Sequence, residues 1–299
     1  MNEDLRKAHD LLASMGDLVP PPDGRPEHVR HRDAYRLWSD QFPVPAGTVV
    51  TDAPGFAGLS VRTAASDPSR AILYFHGGGY TEGSAHGHRE VASRLATGAE
   101  AVVHLPDYPL APENPFPAAV HGAVEAYRLL LDSGLPASRI GVGGDSAGGG
   151  LALSLLVFLK ELALPLPAAV VAVSPWTDMT LTSDTFRTLA ARDPFVSREA
   201  LTLFAQRYLR SECLLDPLAS PLFADLAGLP PLLIEVGSEE VLLDDSRKLY
   251  ARAREFDVDA RLVVTEGAPH IWQHFGSFLP EARESLARIA THFRSHIPA

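Results

Sequence analysis

The chain has 299 residues, 46% of them hydrophobic and 21% charged, with a formal net charge of −11 at pH 7. That balance fits a globular protein with an extensive core, and the acidic excess argues against nucleic acid or an anionic membrane surface as partner. A single cysteine, Cys213, excludes an internal disulfide and fits a reducing compartment.

Residues 2–15 place Leu5, Ala8, Leu11, Leu12 and Met15 at helical spacing, and Pro20-Pro21-Pro22 closes that segment. The first residues carry two acids and no apolar run, unlike a secretory signal. The longest apolar stretch, near 151–159, falls far short of the ~20 residues that span a bilayer. The expected location is therefore cytoplasmic. A second helix is expected over 26–41, carrying Val29, Tyr35, Leu37 and Trp38.

From Thr48 the pattern changes. Residues 48–53 and 59–64 read as two strands around a Pro54-Gly55 turn, and 71–75 as a strand buried on both faces. Helices and strands then alternate: helix 85–97, strand 101–105, helix 117–132, strand 139–143, helix 147–162 and strand 169–174. Strands at 231–236 and 260–264 and a helix over 280–294 complete the series. This order implies an α/β fold with a mostly parallel sheet and helices on both faces. More than fifty residues separate the strands at 169–174 and 231–236, too many for one crossover. Helical patterns at 183–190 and 197–209, the latter opened by Ser197 as N-cap, read as an inserted cap. The expected division is an N-terminal cap segment at 1–45, a catalytic domain at 46–176 and 216–299, and inserted cap helices at 177–215.

The chemistry centres on Gly144-Asp145-Ser146-Ala147-Gly148, a G-x-S-x-G between a strand and a helix. A serine on so sharp a turn projects its hydroxyl and needs small neighbours. A phosphate loop would need a Lys followed by Ser or Thr at the helix start, which is absent. A nucleophilic serine also needs a base, an orienting acid and an oxyanion hole. His76-Gly77-Gly78-Gly79 follows the strand at 71–75, where backbone N–H groups can approach a developing oxyanion. His270 ends the loop after the last strand and is the better-placed base; His274 is its competitor. The loop after 231–236 offers four carboxylates. Asp244 and Asp245 read as helix caps, whereas Glu239 and Glu240 lie closer to the strand end.

The HGGG run, the GDSAGG run and the Gly267-Ala-Pro-His270 loop together resemble the hormone-sensitive-lipase-like branch of the α/β-hydrolases, bacterial esterases among them. The resemblance runs from about residue 46 onward and includes Asp107-Tyr-Pro-Leu-Ala-Pro-Glu113, Ser174-Pro-Trp-Thr-Asp178 and Asp216-Pro-Leu-Ala-Ser-Pro-Leu222. It implies an α/β-hydrolase fold with a helical cap. Its acid, usually Asp in D-P-L-x-D-[DE], falls on Glu240 of Glu240-Val-Leu-Leu-Asp-Asp245, a departure from the family pattern. It further implies Ser146, Glu240 and His270 as triad, the N–H groups of Gly78, Gly79 and Ala147 as oxyanion donors, and His76 and Asp107 as supports of the oxyanion loop. Trp176, Phe195 and Trp272 are candidates either for the acyl or alcohol pocket or for cap packing. The expected activity is hydrolysis of short- to medium-chain acyl esters with no metal or organic cofactor. Amide, lactone or carbamate hydrolysis would use the same machinery, and a non-catalytic binding protein would be expected to lack the Ser or the His. The expected partner is a small ester; a homodimer is left open.

Overall fold

The computed structural model describes residues 2–209 and 214–298. Cys213 and part of the inserted segment lie outside them. Eight strands form one sheet in the order β1-β2-β4-β3-β5-β6-β7-β8: β1 Val49–Asp52, β2 Gly58–Arg62, β3 Asp67–Phe75, β4 Ala101–Pro106, β5 Ile140–Asp145, β6 Ala169–Val173, β7 Leu232–Gly237 and β8 Ala260–Thr265. β1 and β2 are antiparallel, as is the β2–β4 pairing, and every pairing from β4 to β8 is parallel. The antiparallel edge and the parallel body match the order of elements read from the sequence.

The helices are α1 Glu3–Ala13, α2 Glu27–Ser39, α3 Arg89–Ala99, α4 Ala118–Asp132, α5 Ala147–Glu161, the single turn α6 Thr185–Thr188, α7 Arg198–Tyr208, α8 Leu243–Glu255 and α9 Pro280–His296. None of the described helices is long and apolar enough to cross a membrane. α6 is shorter than the helix expected over 183–190. α6 itself carries two β-branched threonines, Thr185 and Thr188, and Thr185 Oγ1 donates to the Val241 carbonyl at 2.6 Å.

Strand alternation divides the core. In β3, Ala71, Leu73 and Phe75 face one layer with α4, α5 and α8, while Ile72 and Tyr74 face the other with α3 and α9. Burial on both faces is why the strand reads as a continuous apolar run. A third cluster lies off the sheet. Leu5, Leu12, Tyr35 and Trp38 of α1 and α2 pack on Ile271, Trp272 and Phe275, the segment that follows β8. The N-terminal helices thus rest on the loop that carries His270.

Candidate active site

The turn between β5 and α5 places Ser146 at φ 55°, ψ −122°, a conformation costly for any residue with a Cβ. Three backbone bonds hold it there. Its N–H donates to Val173 O (2.8 Å), and its carbonyl accepts from Gly150 N (3.1 Å) and Trp176 N (3.0 Å). The turn is so tight that a Cβ on Gly148 would lie 2.1 Å from Phe75 O, which explains the glycine there.

After β8, the His270 ring is buried, and its Nδ1 lies 2.7 Å from Glu240 Oε2. The other Glu240 oxygen accepts from Ser174 Oγ at 2.7 Å and from Gly237 N at 2.5 Å. With the Nδ1 proton committed to the carboxylate, Nε2 is left as the acceptor. Burial opposes the imidazolium, but the Glu240 hydrogen bond and charge outweigh it and raise the His270 pKa above 6.5. Burial likewise raises Glu240, opposed by its bonds to His270, Gly237 and Ser174.

The other carboxylates of that loop go elsewhere. Glu239 pairs with Arg192 of the inserted segment. Asp244 pairs with Arg247 at 3.2 Å. Neither Asp244 nor Asp245 caps α8, whose N-cap is Leu242 without a side-chain bond. This corrects the sequence reading. Asp245 is buried instead, its Oδ2 accepting from Thr177 N (2.9 Å) and Asp178 N (3.0 Å) and its Oδ1 from Ser183 Oγ (3.2 Å). Burial pushes its pKa up to about 7 against those N–H donors.

The glycine loop after β3 is fixed from several sides. Gly77 N donates to Asp145 Oδ2 at 3.1 Å, and Asp145 Oδ1 lies 2.8 Å from His88 Nε2. Burial alone would raise the Asp145 pKa, yet the charge and hydrogen bond of His88 bring it down to about 2. The His76 ring stacks on Tyr108 at 4.3 Å, and Tyr108 Oη donates to the His76 carbonyl at 2.8 Å. Asp107 Oδ1 accepts from Ala85 N at 2.7 Å, fixing the turn beyond the loop. Among the described residues, nothing accepts from the N–H groups of Gly78, Gly79 or Ala147. Asp145, His88 and Ser174 were not singled out from sequence. Asp145 stood inside the G-x-S-x-G and Ser174 inside the Ser174–Asp178 segment, but their partners come from other strands.

The Glu240 carboxylate pairs with His270 and not with His274, the competing base. Its ring meets His88 edge-on at 4.6 Å, and burial depresses its pKa to about 3. His88, Asp145 and His274 bring three metal-capable atoms within 4.8 Å of one another. In that group Asp145 Oδ2 accepts from Gly77 N, and Asp145 Oδ1 lies 2.8 Å from His88 Nε2.

Ser146 and His270 open into one cavity of 330 Å³, whose wall also includes Gly78, Gly79, Phe195 and Phe204. Leu12, Met15 and Tyr35 from the N-terminal segment close another side. Phe195 lies 6.0 Å from the His270 ring between centroids. Trp176 and Trp272 are not on this wall. Trp176 is fully buried with its indole N–H on Asp178 O (3.2 Å), and Trp272 sits among the N-terminal helices with its N–H on Glu281 O (3.3 Å). Large indoles in this chain complete the core and satisfy their N–H there.

Sheet order, strained serine turn and cavity define an α/β-hydrolase, and the family model for the alpha/beta hydrolase fold matches residues 72–274. Within that fold the chain belongs to the bacterial hormone-sensitive lipase family. An esterase of that family, known from a crystal structure, superposes with a TM-score of 0.94 at 41% identity, covering 100% of this chain and 99% of the other. An acetyl-hydrolase of Streptomyces hygroscopicus is 44% identical over 243 residues, 81% of each chain. An esterase of Acinetobacter venetianus is 38% identical over 237 residues, 79% of this chain and 78% of the relative.

Proposed function

We propose that this carboxylic ester hydrolase cleaves short- to medium-chain acyl esters through an acyl-enzyme on Ser146. The observation that carries the reading is the buried His270–Glu240 pair, 2.7 Å apart, whose imidazole shares one cavity wall with Ser146. Ser146 Oγ attacks the ester carbonyl while His270 Nε2 takes its proton; the imidazolium then protonates the leaving alcohol. Water attacks the acyl-enzyme with His270 again as base, and Ser146 departs with the proton. Glu240 fixes the tautomer and stabilises the imidazolium without taking its proton. The N–H groups of Gly78, Gly79 and Ala147 stabilise the tetrahedral oxyanion, each worth about 3 kcal/mol. No step calls for a metal or organic cofactor.

The size of the cavity supports the substrate range: 330 Å³ lies at the small end of ligand sites. Residues 1–45 and 177–215 act as the cap that sets acyl length, a role supported by their shares of the cavity wall. Rates on p-nitrophenyl esters of rising chain length test this. The expected profile peaks at short to medium chains; a profile still rising at long chains contradicts it.

A further inference from the structure

Gly79 and Tyr80 follow one another in left-handed backbone, at φ 59° and φ 60°. Glycine adopts that conformation freely; a residue as bulky as tyrosine keeps it only where its surroundings fix it. Backbone bonds from Thr81 N to Gly78 O (3.0 Å), Glu82 N to Gly78 O (2.8 Å) and Ala111 N to Tyr80 O (2.9 Å) close the turn around the pair. The inserted segment meets it from the other side. The Tyr80 ring stacks on Tyr208 of α7, with centroids 4.0 Å apart and planes within 5°. Four residues earlier, on the same face of α7, Phe204 lies so close over Gly79 that a Cβ there would run into its ring. Both tyrosine rings are buried, and among the described residues neither hydroxyl has a hydrogen-bond partner. Ring contact, not a polar bond, makes this joint.

We infer that α7 positions the oxyanion loop: Phe204 and Tyr208, one turn apart, hold Gly79 and Tyr80 in the backbone conformation that aims the Gly78 and Gly79 N–H groups. This rests on the proposed ester hydrolysis at Ser146. It gives the inserted segment a part in the rate of the chemistry, beyond its share in acyl length. Phe204 and Tyr208 are positioning residues, acting on the oxyanion through the loop. Without them the loop relaxes from its left-handed turn, and the loss falls on the transition state, where the negative charge has developed, rather than on ester binding.

The test compares the native protein with Phe204→Ala, Tyr208→Leu and Tyr208→Phe on p-nitrophenyl acetate, the folding of each checked by circular dichroism. Phe204→Ala and Tyr208→Leu should each lower kcat at least about tenfold while KM stays within about threefold. Tyr208→Phe keeps the stacked ring and should stay within about twofold of the native kcat. A trifluoromethyl ketone supplies the second readout. Ser146 Oγ adds to its carbonyl carbon, the serine proton passes to His270, and the resulting alkoxide faces the loop N–H groups. Its inhibition should weaken in each variant by about the factor lost in kcat/KM, while the matching methyl ketone, which does not form the adduct, binds as to the native protein. An unchanged kcat on the acetate with a shifted chain-length profile overturns the inference, since Phe204 then acts only as cavity wall. So does a lowered kcat without weaker trifluoromethyl ketone inhibition, or Tyr208→Phe as slow as Tyr208→Leu. Should Tyr208→Leu fail to fold, Phe204→Ala, on the open wall, decides by the same two readouts. A native protein that neither hydrolyses the acetate nor is labelled on Ser146 by a fluorophosphonate overturns the esterase reading itself.

Discussion

Gly77 N donates to Asp145 Oδ2 at 3.1 Å, tying the residue before the proposed oxyanion donors to the residue before the proposed nucleophile. β3 and β5 are neighbours in parallel register, Phe75 opposite Gly144, so both loops leave the sheet at the C-terminal ends of its strands. The Asp145 carboxylate spans the remaining gap, and its other oxygen lies 2.8 Å from His88 Nε2.

Asp145→Ala should therefore leave the glycine loop loosely placed. A misplacement of about 1 Å in such a site costs roughly a hundredfold, and the loss should appear in kcat more than in KM. Asp145→Asn, which keeps an acceptor for Gly77 N, should lose less. Steady-state kinetics on one ester checks this; equal kcat in Asp145→Ala and the native protein contradicts it.

Glu240→Gln should lower kcat at least about a hundredfold, because an amide can offer its N–H to the imidazole and favour the wrong tautomer. Asp244→Asn and Glu239→Gln should stay within a few-fold of the native rate. Their carboxylates meet Arg247 and Arg192, not His270. If either of these two is the crippled variant while Glu240→Gln stays active, the acid is misassigned.

His270 must be neutral to accept the serine proton. Because its pKa is raised, the imidazolium persists to higher pH than in a free histidine, and activity is lost as pH falls through that raised value. The acid limb of kcat/KM should have its midpoint above 6.5. A midpoint at or below about 6, in protein that remains folded, contradicts the Glu240–His270 coupling.

Deleting residues 1–41 would expose Ile271, Trp272 and Phe275, now buried under α1 and α2. The truncated protein should melt at least about 5 °C lower, with a changed ester profile. Calorimetry and the p-nitrophenyl panel read both; no change in either means that the segment is not a cap.

Ser146, His270 and the glycine loop were legible because each depends on local sequence: a turn that only small neighbours permit, and loops placed directly after strands. Glu240 was legible only through its register in the resemblance, since four carboxylates share that loop. Asp245 misled. Its neighbours in sequence suggest a helix cap, but its hydrogen bonds go to Thr177 and Asp178, nearly seventy residues away. Trp176 and Trp272 misled for a related reason. An aromatic near a catalytic motif in sequence can turn either toward the cavity or into the core, and both went to the core, while Phe195 alone of the three reached the wall. Asp145, though inside the motif, revealed its role only once β3 was placed beside β5.

The central claim, that Ser146 is the nucleophile, is tested most directly by fluorophosphonate labelling followed by mass spectrometry of the peptides, with Ser146→Ala assayed in parallel. Alanine keeps the Cβ that the turn already accommodates, so the variant should retain the native circular dichroism. The account predicts one adduct, on Ser146, with neither labelling nor ester turnover in Ser146→Ala. An adduct on another residue, or ester hydrolysis by pure Ser146→Ala above trace contamination, contradicts it.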